Sequence, residues 1–235
     1  MFKTIFLFLI CTMCKSVIAS SIESKRIFTN PIDKIVIETN EGNLTFKGSL
    51  NDNNIKILAY PHHNICQDNV KIQDQQLRLI NKKNQGGCQC DYTIYLPQKI
   101  LIDIKSNASN IEIDDMVSSL NIENSAGNIK GNSILAKANV DLGAGNVTLN
   151  VSKDSSLIIG AGNGSLRFSH IPQEKVNLEI TTGVGSIELL LPADAKVHYD
   201  TQPKVDTDSF PNIPDDYNFK VKLKTGIGST NIRKM

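Results

Sequence analysis

The feature that most constrains this chain is a local pattern that occurs twice between Leu157 and Leu191. Each copy has two apolar residues one apart, a glycine-rich corner, a small polar residue, and two more apolar residues one apart. In the first copy Leu157 and Ile159 precede Gly160-Ala161-Gly162-Asn163-Gly164-Ser165, and Leu166 and Phe168 follow. In the second, Leu178 and Ile180 precede Thr181-Thr182-Gly183-Val184-Gly185-Ser186, and Ile187 and Leu189 follow. Side chains of a strand alternate between its faces, so each copy reads as two short strands with one buried face each. The glycines are expected to supply the positive φ of the bend.

With the small polar residue as origin, the pattern recurs at Asn43, Asn110, Asn128, Thr148, Ser165, Ser186 and Ser229. Gly131 and Thr230 are the two apolar positions it misses, and Ala108 and Ser109 stand where other corners have glycine. From Asn110 to Ser186 the corner spacings are 18, 20, 17 and 21 residues, and the outer gaps of 67 and 43 are close to three long and two ordinary repeats. Strand alternation with a period near twenty predicts an all-β chain, a single-domain, β-helix-like β-solenoid of roughly 18–21-residue coils. A repeat that short cannot bury its own apolar face, so the coils must stack at roughly 4.8 Å, each covering its neighbour. Ile104, Ile122, Leu142, Ile159 and Ile180 are expected to form one interior column. Residues 50–98 alternate without these corners and read as a less regular β region in the N-terminal half.

The expected organisation is a signal peptide over residues 1–19, an N-terminal cap over 20–34, and the repeat domain over 35–235, with a loop insertion at 206–217. Lys3, the apolar run Thr4 to Met13 and Val17-Ile18-Ala19 have the order of a secretory leader. Cys11 and Cys14 suggest lipidation, against which Ile10 and Met13 are bulky where small residues are expected. No later stretch is apolar for long enough to span a bilayer. Ile22, Ile27, Phe28 and Ile32 are candidates to cover the open end of the stack.

Charge is balanced at +1 without a basic run, so neither nucleic acid nor an acidic membrane surface is suggested as a partner. Tryptophan is absent, which weighs against a sugar cleft built on an aromatic platform. On the outward columns, Glu112 beside Lys130 and Arg167 beside Glu188 suit cross-strand pairing. Asp103 and Asp141, two tiers apart, and Asp114 with Asp115 in a turn are the acids that a polysaccharide-cleaving enzyme would need, but they read as solvated face and turn acids. Asn128, Asn146 and Asn163 recur at corners and are expected to hydrogen-bond as a ladder. The repeat itself accounts for the glycosylation-like triplets at Asn107, Asn146 and Asn163.

Cys66, Cys88 and Cys90 leave two readings open. In an exported chain the expectation is one disulfide, Cys66 with Cys88 or Cys90. The other reading adds His62 and His63 and makes a zinc or copper site. No cofactor is otherwise expected.

The strand, Gly-x-Gly-Asn or Gly-x-Gly-Ser, strand repeat, with Tyr92 to Pro97 before it and Ser186 to Pro192 closing it, resembles the bacterial putative-adhesin domain of unknown function. The resemblance covers roughly Ile35 to Ile232 and implies an exported or envelope-associated β-solenoid; the family pattern defines no catalytic residues. The expectation is therefore a non-enzymatic adhesin or scaffold in the periplasm, the envelope or outside the cell, with an envelope or cell-surface protein or glycan as partner. A carbohydrate-active β-helix enzyme and a periplasmic metal-binding module are the alternatives.

Overall fold

The computed structural model describes residues 24–29, 31–49, 53–62, 69–81, 89–97, 99–115, 119–134, 137–200 and 210–235. Among these residues there is no helix, and the strands form one curled, mostly parallel sheet. The leader, with Cys11 and Cys14, lies outside the described residues, as does Ile22 of the cap.

The chain makes β1 (Ser24–Phe28), β2 (Lys34–Ser49), β3 (Ile55–Pro61), β4 (Asn69–Gln73), β5 (Gln76–Asn81) and β6 (Cys90–Pro97). β2 turns a corner without breaking: residues 34–39 run parallel to β5, and residues 44–49 run parallel to β6. β3 is antiparallel to β6, β1 to β3, and β4 to β5. Of the expected cap residues, Ile32 is buried and Phe28 packs on the core, whereas Ile27 is 54% exposed.

β7 (Leu101–Asp114) lies parallel along the other side of β2, with Asn43 opposite Asn110. From there the sheet grows by two-strand tiers joined at a corner: β8 (Leu120–Ala126) with β9 (Ile129–Ile134), β10 (Ala138–Ala144) with β11 (Val147–Val151), β12 (Ser155–Ala161) with β13 (Gly164–Arg167), and β14 (Val176–Val184) with β15 (Ile187–Leu191). After β16 (Val197–Tyr199) come β17 (Phe219–Ile227) and β18 (Thr230–Lys234), which lie parallel on β14 and β15. The two outer gaps are therefore single steps of the sheet, not several repeats. β3 to β6 lie on the far side of β2, and β16 pairs with the outer edge of β17.

The register also corrects the phase of two corners. Thr148 pairs with Lys130 and Ser165, so the residues in line with Asn128 are Asn146 and Asn163. Alternation has period two, so a shift of two residues leaves the same side chains inside and passes unnoticed in the sequence. The interior column in register is Ile37, Ile104, Ile122, Val140, Leu157, Ile180 and Leu223, all buried. Leu142 and Ile159, expected in it, are buried one column nearer the corner, in line with Asn124 and Thr182. For the same reason Arg167 faces Leu190, and Glu188 pairs instead with Arg233 at 3.5 Å. Glu112 and Lys130 do lie beside each other, 4.0 Å apart.

Wherever a corner has positive φ, it is at the glycine immediately before the corner residue: Gly42, Gly127, Gly145, Gly162, Gly185 and Gly228. Gly162, at +144°, shows why no other residue serves: a Cβ there would stand 1.6 Å from the carbonyl oxygen of Gly145 on the tier before. The requirement is both conformational and steric. Polar side chains of the column nearest the corner serve the same carbonyls from inside. Asn124 donates to Ser109 O at 2.8 Å, Thr182 to Gly162 O at 3.0 Å, and Thr225 to Gly185 O at 3.3 Å. Buried carbonyls need such partners once the bend takes them out of the strand ladder.

Beyond β16, Phe210 is buried and the Tyr199 N–H donates to Asn212 Oδ1 at 3.0 Å. Residues 206–209 of the expected surface loop lie outside the described residues; of the rest only Phe210 is buried, and Pro211, Asn212, Pro214, Asp215 and Asp216 are exposed. Burial pushes the Tyr199 phenol up to about 12.

Candidate functional site

The corner residue of each tier sits on the convex outside of the bend, and its side chain reaches back to the previous tier. Asn163 donates its backbone N–H and its amide to Asn146 Oδ1, both at 3.1 Å. Asn146 does the same to Asn128 at 3.2 and 3.1 Å, and Asn128 to Asn110 at 3.0 and 3.4 Å. The Asn110 amide donates to Asn43 Oδ1 at 3.2 Å, and the Ser186 N–H donates to Asn163 Oδ1 at 2.9 Å. The expected ladder thus extends well past its three predicted members.

At its upper end the ladder terminates on a charge. Asp91 Oδ1 accepts the Asn43 N–H at 2.7 Å and Oδ2 the Asn43 amide at 3.1 Å, and His62 Nε2 lies 3.0 Å from the same Oδ2. Burial raises the pKa of this carboxyl, but the Asn43 donors and His62 outweigh it and hold it below the ordinary value. Sequence reasoning passed over Asp91, although Tyr92 and Ile94 follow it at the template's plus-one and plus-three positions. The preceding half of that corner is displaced to Leu77 and Leu79, so the full template does not match.

The antiparallel pairing of β3 with β6 brings His62 alongside this corner, its N–H donating to Gln89 O at 3.0 Å. Cys90 is buried, with Sγ 3.6 Å from Asp91 O, whereas Asp91 points outward to His62. Neighbours on a strand face opposite sides, so the described members of the cysteine and histidine set are divided between core and surface. Cys66, Cys88 and His63 lie outside the described residues. Among the described residues no three His, Cys, Asp or Glu side chains gather as metal ligands.

The acids weighed for catalysis are dispersed. Asp103 pairs with Lys34 at 2.9 Å and accepts from Asn121 at 3.0 Å. Burial raises its pKa, but these two partners outweigh burial and hold it below the ordinary value. Asp141 lies in line with Glu123 and Ile158, in a different column from Asp103. Asp114 accepts from Asn132 at 3.1 Å, and Asp115 is an exposed turn residue with φ of 54°.

A shallow polar groove, not foreseen from the sequence, runs where β10, β12, β14 and β17 begin, past Lys137, Asn139, Asp154, Asn177, Glu179 and Lys222. Its charges are largely answered from within: Lys222 pairs with Glu179 at 2.7 Å, and Asp154 accepts the Asn177 N–H at 2.8 Å. Beside it, Tyr217 stacks on His198 with ring centroids 5.2 Å apart, and Lys175 Nζ stands 4.1 Å from the Tyr217 ring centroid. Among the described residues no helix is long and apolar enough to cross a membrane.

No family model matches the sequence, and no curated protein matches it. Among solved structures, the chain is similar to a putative cell adhesion protein from Clostridium sporogenes, at 17% identity over 92% of this chain and 100% of that one, with a TM-score of 0.40. It is also similar to a putative adhesin from Bacteroides fragilis, at 13% identity over 91% and 98% of the two chains (TM-score 0.39), and to one from Parabacteroides merdae, at 12% over 90% and 96% (TM-score 0.38). Identities and TM-scores this low transfer nothing to the present chain.

Proposed function

We propose that the chain is an exported, non-enzymatic β-solenoid whose tiers are its coils, and that it works in the envelope or at the cell surface as an adhesin or scaffold. One observation carries this reading. The outward side chains form flat columns that run across successive tiers and neutralise one another within the sheet, as in Lys105–Glu123 at 2.6 Å and Lys222–Glu179 at 2.7 Å. Such a surface offers area and a regular pattern to a partner, whereas catalysis asks for groups that converge on one reacting atom.

The test incubates the purified, processed chain with envelope fractions of the producing cell and with host-cell surfaces, and follows both saturable binding and sugar release from a panel of polysaccharides. Saturable binding without sugar release is expected. Sugar release, or no binding to any surface, would overturn the proposal. The cysteines provide a separate check, because one disulfide leaves one free thiol per denatured, unreduced chain. Three free thiols and a metal lost on chelation would favour metal handling instead.

A further inference from the structure

We infer that the last tier, β17 with β18, docks this protein by its end onto an anionic lipid surface, independently of what the flat faces hold. The chain as a whole is nearly neutral, but its charge is not evenly spread. Residues 219–235 contain Lys220, Lys222, Lys224, Arg233 and Lys234 and no acidic residue. The tier carries Lys220, Lys222 and Lys224 along the outside of one limb and Arg233 on the outside of the other. Lys220, Lys222 and Arg233 are answered by Asp200, Glu179 and Glu188, each from a neighbouring part of the fold, and among the described residues Lys224 and Lys234 have no carboxylate partner.

The apex between the limbs is apolar. Ile227 is 72% exposed, and Val184, its partner in register on the tier before, is 52% exposed. The same corner column holds alanine at positions 108, 126, 144 and 161 and Glu41 at the far end, so its large apolar side chains are confined to this end. Two stacked apolar side chains at the tip of a cation-bearing tier combine the two attractions that hold a protein at a lipid headgroup layer: a small insertion of apolar surface and pairing with phosphates.

Among the described residues, β16 covers β17 only over residues 219–221, and no strand pairs with the outer side of β18. Such an edge also invites a second copy of the chain. The charges left over among the described residues, Lys224 and Lys234, are of one sign, so they oppose a second copy carrying the same excess and favour an anionic occupant.

The experiment is co-sedimentation of the processed chain, as purified from cells, with vesicles of phosphatidylcholine alone or with about one-third phosphatidylglycerol. Binding at least about tenfold tighter to the anionic vesicles is expected, and it should disappear at about 0.5 M salt. Ile227→Asp and Lys224→Glu, both at exposed positions, should each weaken it about fivefold or more while leaving the melting temperature in place. Equal binding to both kinds of vesicle, as a lipid anchor would give, overturns the inference. So does binding that the double variant leaves unchanged, and so does a dimer in sedimentation velocity that Ile227→Asp abolishes, which would mean that a second copy covers this end.

Discussion

Between β8 and β15 every tier is covered by the one that follows it in sequence, whereas from β1 to β6 the chain covers itself out of order and partly antiparallel. The middle can repeat one solution because each tier meets the same neighbour on both sides. The upper end has to stop a sheet, and there the corners change. Asp91 closes the asparagine ladder, and the two limbs of its corner come from separate strands, β5 and β6. A repeat is thus a local answer to being sandwiched, and its decay marks where the sandwiching ends.

The largest effect that tests this contrast compares Ile159→Asp with Ile27→Asp. Ile159 is 1% exposed between two tiers, and an aspartate there buries a charge with no partner, at a cost of at least about 4 kcal/mol. At Ile27, on the edge, the change should stay within about 1 kcal/mol. Similar melting temperatures for the two variants would show that the edge is no more permissive than the middle.

Next come the corners. Gly162→Ala meets both a positive φ and the Gly145 carbonyl, and should cost about 3 kcal/mol or more in urea unfolding. Ser109→Ala, at a corner without positive φ, loses mainly one hydroxyl contact, about 1 kcal/mol. The reverse order would mean that the glycines are incidental.

Smaller still is the ladder. Asn146→Ala removes an acceptor of two bonds from Asn163 and a donor to Asn128, with an expected loss of about 1–2 kcal/mol. Asn107→Ala, which breaks a single amide contact to Asn40, should cost under about 0.5 kcal/mol. Equal unfolding midpoints would reduce the ladder to decoration.

The smallest effect separates the charged end of the ladder from its neutral middle. The folded-state pKa of Asp91 is depressed, so its contribution is present above the ordinary carboxylate range and is lost as the pH falls through the folded value. Wild type should therefore be more stable than Asp91→Asn near pH 7, and the gap should close below about pH 4. A gap independent of pH would show that the charge on Asp91 does not matter to the fold.

The inward set was legible because burial follows parity: Ile122, Leu142, Ile159 and Ile180 are all inside, as alternation requires. Their assignment to a column was not legible, because Leu142 and Ile159 satisfy the same alternation two residues away. The asparagine ladder could be read from Asn128, Asn146 and Asn163 because their corners are alike. Its terminus at Asp91 and His62 could not, since those two residues meet only through the antiparallel pairing of β3 and β6.

The sequence by itself determined the strand character, the glycine-rich bends and the side of the sheet on which each residue falls. These follow from local conformation and from which side chains avoid water. The tertiary structure alone decided that β3 to β6 cross to the far side of β2, that Asn43 lies against Asn110, and that the cations of residues 219–235 share one tier. Parallel strands are joined through backbone groups that every residue carries, so side-chain pattern leaves the choice of neighbour open, and only the packing of the whole sheet closes it.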